Sequence, residues 1–210
     1  MEKEIFDKFV TFLNENKGKR KFNQSVDLII NFTDVDFNKP DNRLNIGIFL
    51  PKGRGRESKV MLFADDKNII TKAEDAGVAI LKSTDIPTIA SDKKRLRELL
   101  NYELLAQPAI MPMIAKGLGQ FLGPKNKMPK PLIGSDVASV ANNIKSTIYI
   151  RSKGKYLPTI HCSIGTELMN AENLSANIDE VINTFSKKFG KQHIRSVYVK
   201  LTMSKPQRLI

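Results

Sequence analysis

Disulfide and metal chemistry have almost nothing to work with in this chain. Cys162 is the single cysteine among 210 residues, which excludes an internal disulfide and fits a reducing compartment. Two histidines and no Cys-x-x-Cys pair leave no basis for a structural zinc site. No apolar run approaches the ~20 residues that a bilayer-spanning helix needs. The opening Met1-Glu-Lys-Glu-Ile-Phe6 carries acids where a secretion signal carries an apolar core. The expectation is a cytoplasmic protein with no membrane partner, no metal and no cofactor. A phosphate-binding loop is missing too. Pro51-Lys-Gly-Arg-Gly-Arg56 is basic and glycine-rich, but it lacks a Gly-Lys-Ser/Thr ending, and the strand Val60-Met-Leu-Phe63 follows it rather than a helix. It reads as a flexible linker.

Acid is the other scarcity. Against 34 Lys+Arg stand 22 Asp+Glu, a net charge of +12, which points to a polyanionic partner. The excess is uneven. Residues 146–210 hold 10 basic and 4 acidic side chains, half of the net charge in under a third of the chain. The segment Gly117–Pro131, rich in glycine, proline and lysine, has no acid at all and reads as a long loop able to touch RNA.

What is present is mostly period-two and period-3.6 patterning. Residues 2–14 form a helical stripe through Ile5, Phe6, Phe9, Val10 and Leu13. Two alternating strands follow, Val26/Leu28/Ile30/Phe32 and Leu44/Ile46/Ile48/Leu50, and their proximity predicts an antiparallel pair. Between about 60 and 145 short continuous apolar runs alternate with helices, the mark of a parallel, two-sided sheet. After 146 the alternation returns: Ile148/Ile150, then Ile160/Cys162/Ile164 with Thr159, His161 and Ser163 opposite. A long helix is predicted from a cap at Asn170 to a stop at Gly190.

The last strand carries the most functional information. Val197, Val199, Leu201 and Met203 share one face; Ser196, Tyr198, Lys200 and Thr202 share the other, followed by Lys205, Pro206, Gln207 and Arg208. Hydroxyls and amines on an open strand face suit a phosphate backbone. The two ends share one texture and the middle has another. The predicted fold is therefore a discontinuous α+β domain, 1–52 plus 146–210, with an antiparallel sheet backed by helices. An α/β, Rossmann-like domain with a parallel sheet, 53–145, is inserted into it, and the two chain crossings make a hinge.

Several stretches together carry a resemblance: Arg20-Lys-Phe-Asn-Gln-Ser-Val-Asp27, Leu50-Pro-Lys-Gly53, Leu122-Gly-Pro-Lys-Asn-Lys-Met-Pro129, Ile160-His-Cys-Ser-Ile-Gly165 and Ser196-Val-Tyr-Val-Lys-Leu-Thr-Met-Ser204. Nearly end to end, the chain resembles the family of large-subunit ribosomal protein one, the mobile stalk protein beside the transfer-RNA exit site. Its ending, Lys205-Pro-Gln-Arg-Leu209, is similar to the archaeal and eukaryotic branch, and its short length to the archaeal side.

The resemblance implies a ribosome-associated, non-enzymatic protein, monomeric when free. Its split domain is implied to bind large-subunit ribosomal RNA and a like structure in the leader or coding region of its own messenger, repressing translation. The inserted domain is implied to meet transfer RNA transiently, with a part in release of deacylated transfer RNA. The family's RNA contacts map onto Phe22, Ser25, Ser196, Thr202 and Met203, with Lys21, Gln24 and Lys205 beside them. Where the family usually has glycine after the Thr-Met pair, this chain has Ser204. His161, from the free-face pattern, completes the candidate set. Two rival readings are a nucleotide-binding α/β enzyme and a charge-driven, non-specific polyanion binder.

Overall fold

A computed structural model describes residues 3–134, 136–151 and 157–210. In chain order the elements are α1 (Lys3–Asn16), β1 (Ser25–Phe32), β2 (Asn45–Phe49), β3 (Lys59–Phe63), α2 (Lys67–Asp75), β4 (Ala79–Leu81), α3 (Ile86–Ser91), α4 (Lys93–Leu99), β5 (Tyr102–Ala106), α5 (Met111–Leu122), β6 (Lys130–Pro131), α6 (Val137–Ser146), β7 (Thr147–Arg151), β8 (Thr159–Thr166), α7 (Ala171–Phe189), β9 (Ile194–Leu201) and β10 (Gln207–Arg208). Glu2, the first residue of the predicted opening helix, lies outside the described residues. The chain divides into two compact units, 1–56 with 146–210, and 57–145.

The first unit is built on an antiparallel sheet of order β10-β9-β1-β8. Alternation does the sorting: Val26, Leu28, Ile30 and Phe32 are buried while their neighbours in β1 are half-exposed. They share one core with Phe9, Phe12 and Leu13 of α1 and Leu174, Ile178, Val181 and Phe185 of α7. Helix α7 stops at Gly190, whose φ of 92° suits only glycine. Asn170 occupies the N-cap position of α7 but makes no side-chain capping bond.

The predicted pairing of the first two strands does not occur. β1 pairs with β8 and β9, and β2 pairs with β7 in a separate two-stranded sheet. Alternation states which face of a strand is buried; it does not state which strand lies alongside. Segment 51–56 is also not loose. Asn177, fully buried, accepts from Lys52 N–H (3.1 Å) and donates to Gly53 O (2.9 Å) and Ile164 O (2.8 Å). The hydroxyl of Thr166 donates to Gly55 O (3.3 Å). Gly55, at φ +67°, packs so closely that an added Cβ would stand 2.6 Å from Met169 Sδ.

The second unit is a parallel sheet, order β4-β3-β5-β6, with helices between successive strands. This is the α/β arrangement predicted from its continuous apolar runs. Its buried side chains form two clusters. One holds Ile86, Ile114 and Leu118; the other holds Ala73, Val137 and Ala141. The acid-free stretch 117–131 is mostly not loop: its first six residues finish α5, and Lys130–Pro131 is β6. Among the described residues no helix is long and apolar enough to cross a membrane.

Cys162 is 9% exposed on the core side of β8. Burial, with a smaller contribution from the Asp27 carboxylate, pushes its thiol up to about 12. The nucleophile in thiol labelling is the thiolate. At pH 8 a maleimide reagent is therefore expected to leave Cys162 unmodified in the native protein and to label it fully in urea. Mass spectrometry reads both; rapid native labelling would show that the core around β8 opens.

Candidate nucleic-acid interface

The site is assembled where the entrance of β1 meets the exit of β9. Strand β9 ends at Leu201, and a turn follows in which Ser204 N–H donates to Leu201 O (3.1 Å). Ser204 Oγ accepts from Leu201 N–H at 2.8 Å and donates to Lys205 O at 3.0 Å. This turn takes Met203 off the buried face that alternation assigned it and leaves it 57% exposed. Among the described residues positive φ at a non-glycine occurs at Asp34 and Asn126, so Ser204 sits in ordinary backbone and its hydroxyl folds back onto the turn.

Hydrogen bonds join this turn to Gln24 and to Ser25, the first residue of β1. Thr202 N–H donates to Ser25 O (3.1 Å), and Thr202 Oγ1 accepts from Ser25 N–H (3.0 Å). Met203 N–H donates to Gln24 Oε1 (3.1 Å). Lys21 and Phe22 precede Gln24 and are exposed, Phe22 by 50% of its surface; Lys205 follows Ser204 and is exposed as well. A cavity of about 280 Å³ lies alongside, lined by Asn16, Lys19, Arg20, Gln24, Met203 and Ser204. This cavity brings Lys19 and Arg20 to the site.

Gln24 is 2% exposed, so it is not a surface group. Its amide is held by Glu167, itself 4% exposed. Burial pushes the Glu167 carboxyl up. Hydrogen bonds from Gln24 and Gly18 together with nearby Lys17 outweigh this and hold it below the ordinary glutamate value of 4.5. A carboxylate with a lowered folded pKa stabilises the fold above its unfolded pKa and stops doing so as pH falls through the folded one. The thermal midpoint is thus expected to fall below pH 4.5, and Glu167→Gln to flatten part of that fall. Circular-dichroism melts of both proteins between pH 3 and 7 give the comparison; identical slopes would remove Glu167 as a contributor.

Two predicted site residues lie elsewhere. Ser196 pairs with Asn31, six residues along β1 from Ser25, so roughly 20 Å from Thr202 at strand rise. It is buried, and its Oγ accepts from Asn31 Nδ2 (3.0 Å), while Asn31 Oδ1 accepts from the Thr159 hydroxyl (3.0 Å). The expected free hydroxyl at Ser196 is a bonded one within a polar row across three strands. His161 is exposed on β8 opposite Ile29, with β1 between it and β9. On the same face Asp27 lies in register between Ser163 and Lys200. Burial pushes its carboxyl up, against the pull of Lys200, Arg56 and His161 and a hydrogen bond with Ser163.

At the ends of β3 and β5, where doubly wound sheets commonly bind ligands, Asp65 Oδ1 accepts from Ser83 N–H (2.9 Å). Asp66 there caps α2. Carboxylates at that position disfavour a phosphate. Lys127 bonds Glu103 (3.3 Å), and Lys125 lies 4.2 Å from the Phe121 ring centre, so part of the basic stretch is used internally. Among the described residues no group of three or more His, Cys, Asp and Glu could hold a metal.

Sequence comparison adds the family. The profile of the ribosomal protein L1p/L10e family matches residues 13–205. The chain is similar to the large ribosomal subunit protein uL1 of Thermoplasma acidophilum, 39% identical over 92% of this chain and 90% of the relative. It is similar to that of Methanocella arvoryzae at 40% identity, over 90% of each chain. For Methanothermobacter thermautotrophicus the figure is 35% over the full length of both.

Proposed function

We propose a function that proceeds from the family: the chain belongs to the ribosomal protein L1p/L10e family, as a non-enzymatic structural protein of the large subunit of archaeal type. On that footing we propose that its split unit binds large-subunit ribosomal RNA through the surface around Phe22, Ser25, Thr202 and Met203. Membership associates the chain with the cytoplasmic ribosome; the RNA contact is our reading.

The observation that carries it is the mutual bonding of Gln24–Ser25 with Thr202–Met203. It fixes an apolar and hydroxyl-bearing surface before any RNA arrives, so little ordering entropy opposes binding. Helical RNA exposes 2′-hydroxyls and phosphates across a shallow minor groove. Thr202 Oγ1 already accepts from Ser25, and its own proton has only a long 3.5 Å contact with Ser25 O. An RNA oxygen in range would take that proton. Phe22 and Met203 exclude water around it by packing on sugars or unstacked bases. Segments 16–26 and 196–210 contain no acid, so Lys19, Arg20, Lys21 and Lys205 add affinity without local repulsion.

On the same footing we infer repression of the protein's own messenger, since a messenger structure of like shape would compete for this surface. Transient contact of unit 57–145 with transfer RNA, and a part in its release, is carried by the family alone.

Binding of stalk ribosomal RNA is compared with that of a scrambled RNA of equal length at moderate salt. The expected preference is about tenfold or more, as for surfaces that read shape as well as charge. Equal affinities would favour the charge-driven reading instead.

A further inference from the structure

We propose that Glu167 is a positioning residue: a buried acid that presets the RNA-binding surface without touching RNA. This rests on the reading of Phe22–Met203 as the RNA surface.

Glu167 follows β8 and lies in neither segment of that surface, yet it bonds the first directly and reaches the second through Gln24. Its Oε1 accepts from Gln24 N–H at 3.0 Å. Its Oε2 accepts from Gln24 Nε2 at 3.1 Å and from Gly18 N–H at 3.3 Å. Its own N–H donates to Gln24 O at 3.0 Å. Gly18, at φ +73°, begins the loop after α1. One carboxylate therefore fixes both ends of the 18–24 loop that presents Lys19, Arg20, Lys21 and Phe22.

Its effect reaches Met203 through the direction of a side-chain amide. An ionised carboxylate only accepts, and Met203 N–H only donates. Between them the Gln24 amide has one satisfied orientation, Nε2 toward Glu167 and Oε1 toward Met203. The carboxylate at position 167 thus decides whether Met203 N–H keeps its acceptor, one of the bonds that anchor the 201–204 turn beside those between Ser25 and Thr202. With the carboxylate some 4% exposed and surrounded by donors, it offers RNA phosphates little to repel.

Glu167→Gln reverses this logic. The introduced amide keeps one oxygen for Gln24 N–H but presents NH₂ to Gln24 Nε2. Gln24 is then driven to flip and to face Met203 N–H with its own NH₂. Adding Gln24→Glu to that variant restores the order of donors and acceptors: the introduced carboxylate accepts from the introduced amide on one side and from Met203 N–H on the other.

The test measures dissociation constants for stalk ribosomal RNA with the full-length chain, well below the lowest melting temperature. Glu167→Gln is expected to weaken binding about tenfold, the loss of one well-formed hydrogen bond and its partner. Its salt slope should stay unchanged, because no phosphate contact is removed. The double variant is expected to recover most of the loss. Gln24→Ala removes the Met203 acceptor directly and should match Glu167→Gln, which keeps the test decisive should that variant fold poorly. Affinity within about twofold of the unmodified chain for Glu167→Gln and Gln24→Ala overturns the inference, as does a double variant no tighter than Glu167→Gln. An unmodified chain with no preference for stalk RNA over scrambled RNA would instead overturn the RNA surface itself.

Discussion

Phe22→Ala is expected to weaken binding of stalk ribosomal RNA by about 1–3 kcal/mol, roughly 5- to 150-fold, the range for losing an aromatic platform under a base. The ring is 50% exposed and belongs to no core cluster among the described residues, so the melting temperature should barely move. Thr202→Ala is the companion. It removes the acceptor for Ser25 N–H and the hydroxyl offered to RNA, whereas Thr202→Ser keeps both. Filter binding or calorimetry at fixed salt gives the dissociation constants. If both Phe22→Ala and Thr202→Ala bind like the unmodified chain, the proposed surface is wrong, whatever the family.

Phe185→Ala should have the largest effect on stability. Phe185 is fully buried in α7, edge-on to Phe32 at 5.9 Å and stacked with Phe189 at 6.5 Å; Phe32 in turn meets Phe37 at 5.7 Å. Removing the ring loses its transfer energy and leaves a cavity among stiff aromatic neighbours that cannot collapse into it. Such truncations lower stability by about 3–5 kcal/mol. In a chain of this size that corresponds to a fall in melting temperature of roughly 10 °C. A shift of a degree or two would mean that the cluster repacks.

Local properties were legible in the sequence and distant ones were not. The burial of Val26, Leu28, Ile30 and Phe32, and of Val197, Val199 and Leu201, follows from strand geometry. So do the Gly190 stop and the parallel unit between Lys59 and Ser146, each announced by its own residues. The partners of β1 were not legible, because they lie more than a hundred residues downstream and many alternating strands would satisfy its face. Ser196 and Thr202 looked alike on alternation. Asn31 engages Ser196 at one end of the sheet, and the turn at Ser204 takes the strand out of register just past Thr202 at the other. Glu167 gave no signal: a lone acid after Gly165-Thr166 looks like surface until Gln24, 143 positions away, is folded against it. Among the site residues, the basic and aromatic ones were found by composition and family pattern. Of the buried polar ones, Gln24 was named from the family pattern and Glu167 needed the fold.

The pairing of β1 with β8 and β9 has a consequence for synthesis. Ser25 meets Thr202 across 177 positions. At translation rates of about 5–20 residues per second, its nascent strand waits roughly ten to thirty seconds for a neighbour. Strands β3 to β6, by contrast, all find their partners within 59–131. A nascent chain thus carries an unpaired apolar edge through most of its elongation, a natural client for chaperones. Any product terminated before Leu201 lacks Thr202 and Met203, half of the surface proposed to bind RNA, so on that proposal a truncated chain should bind RNA weakly.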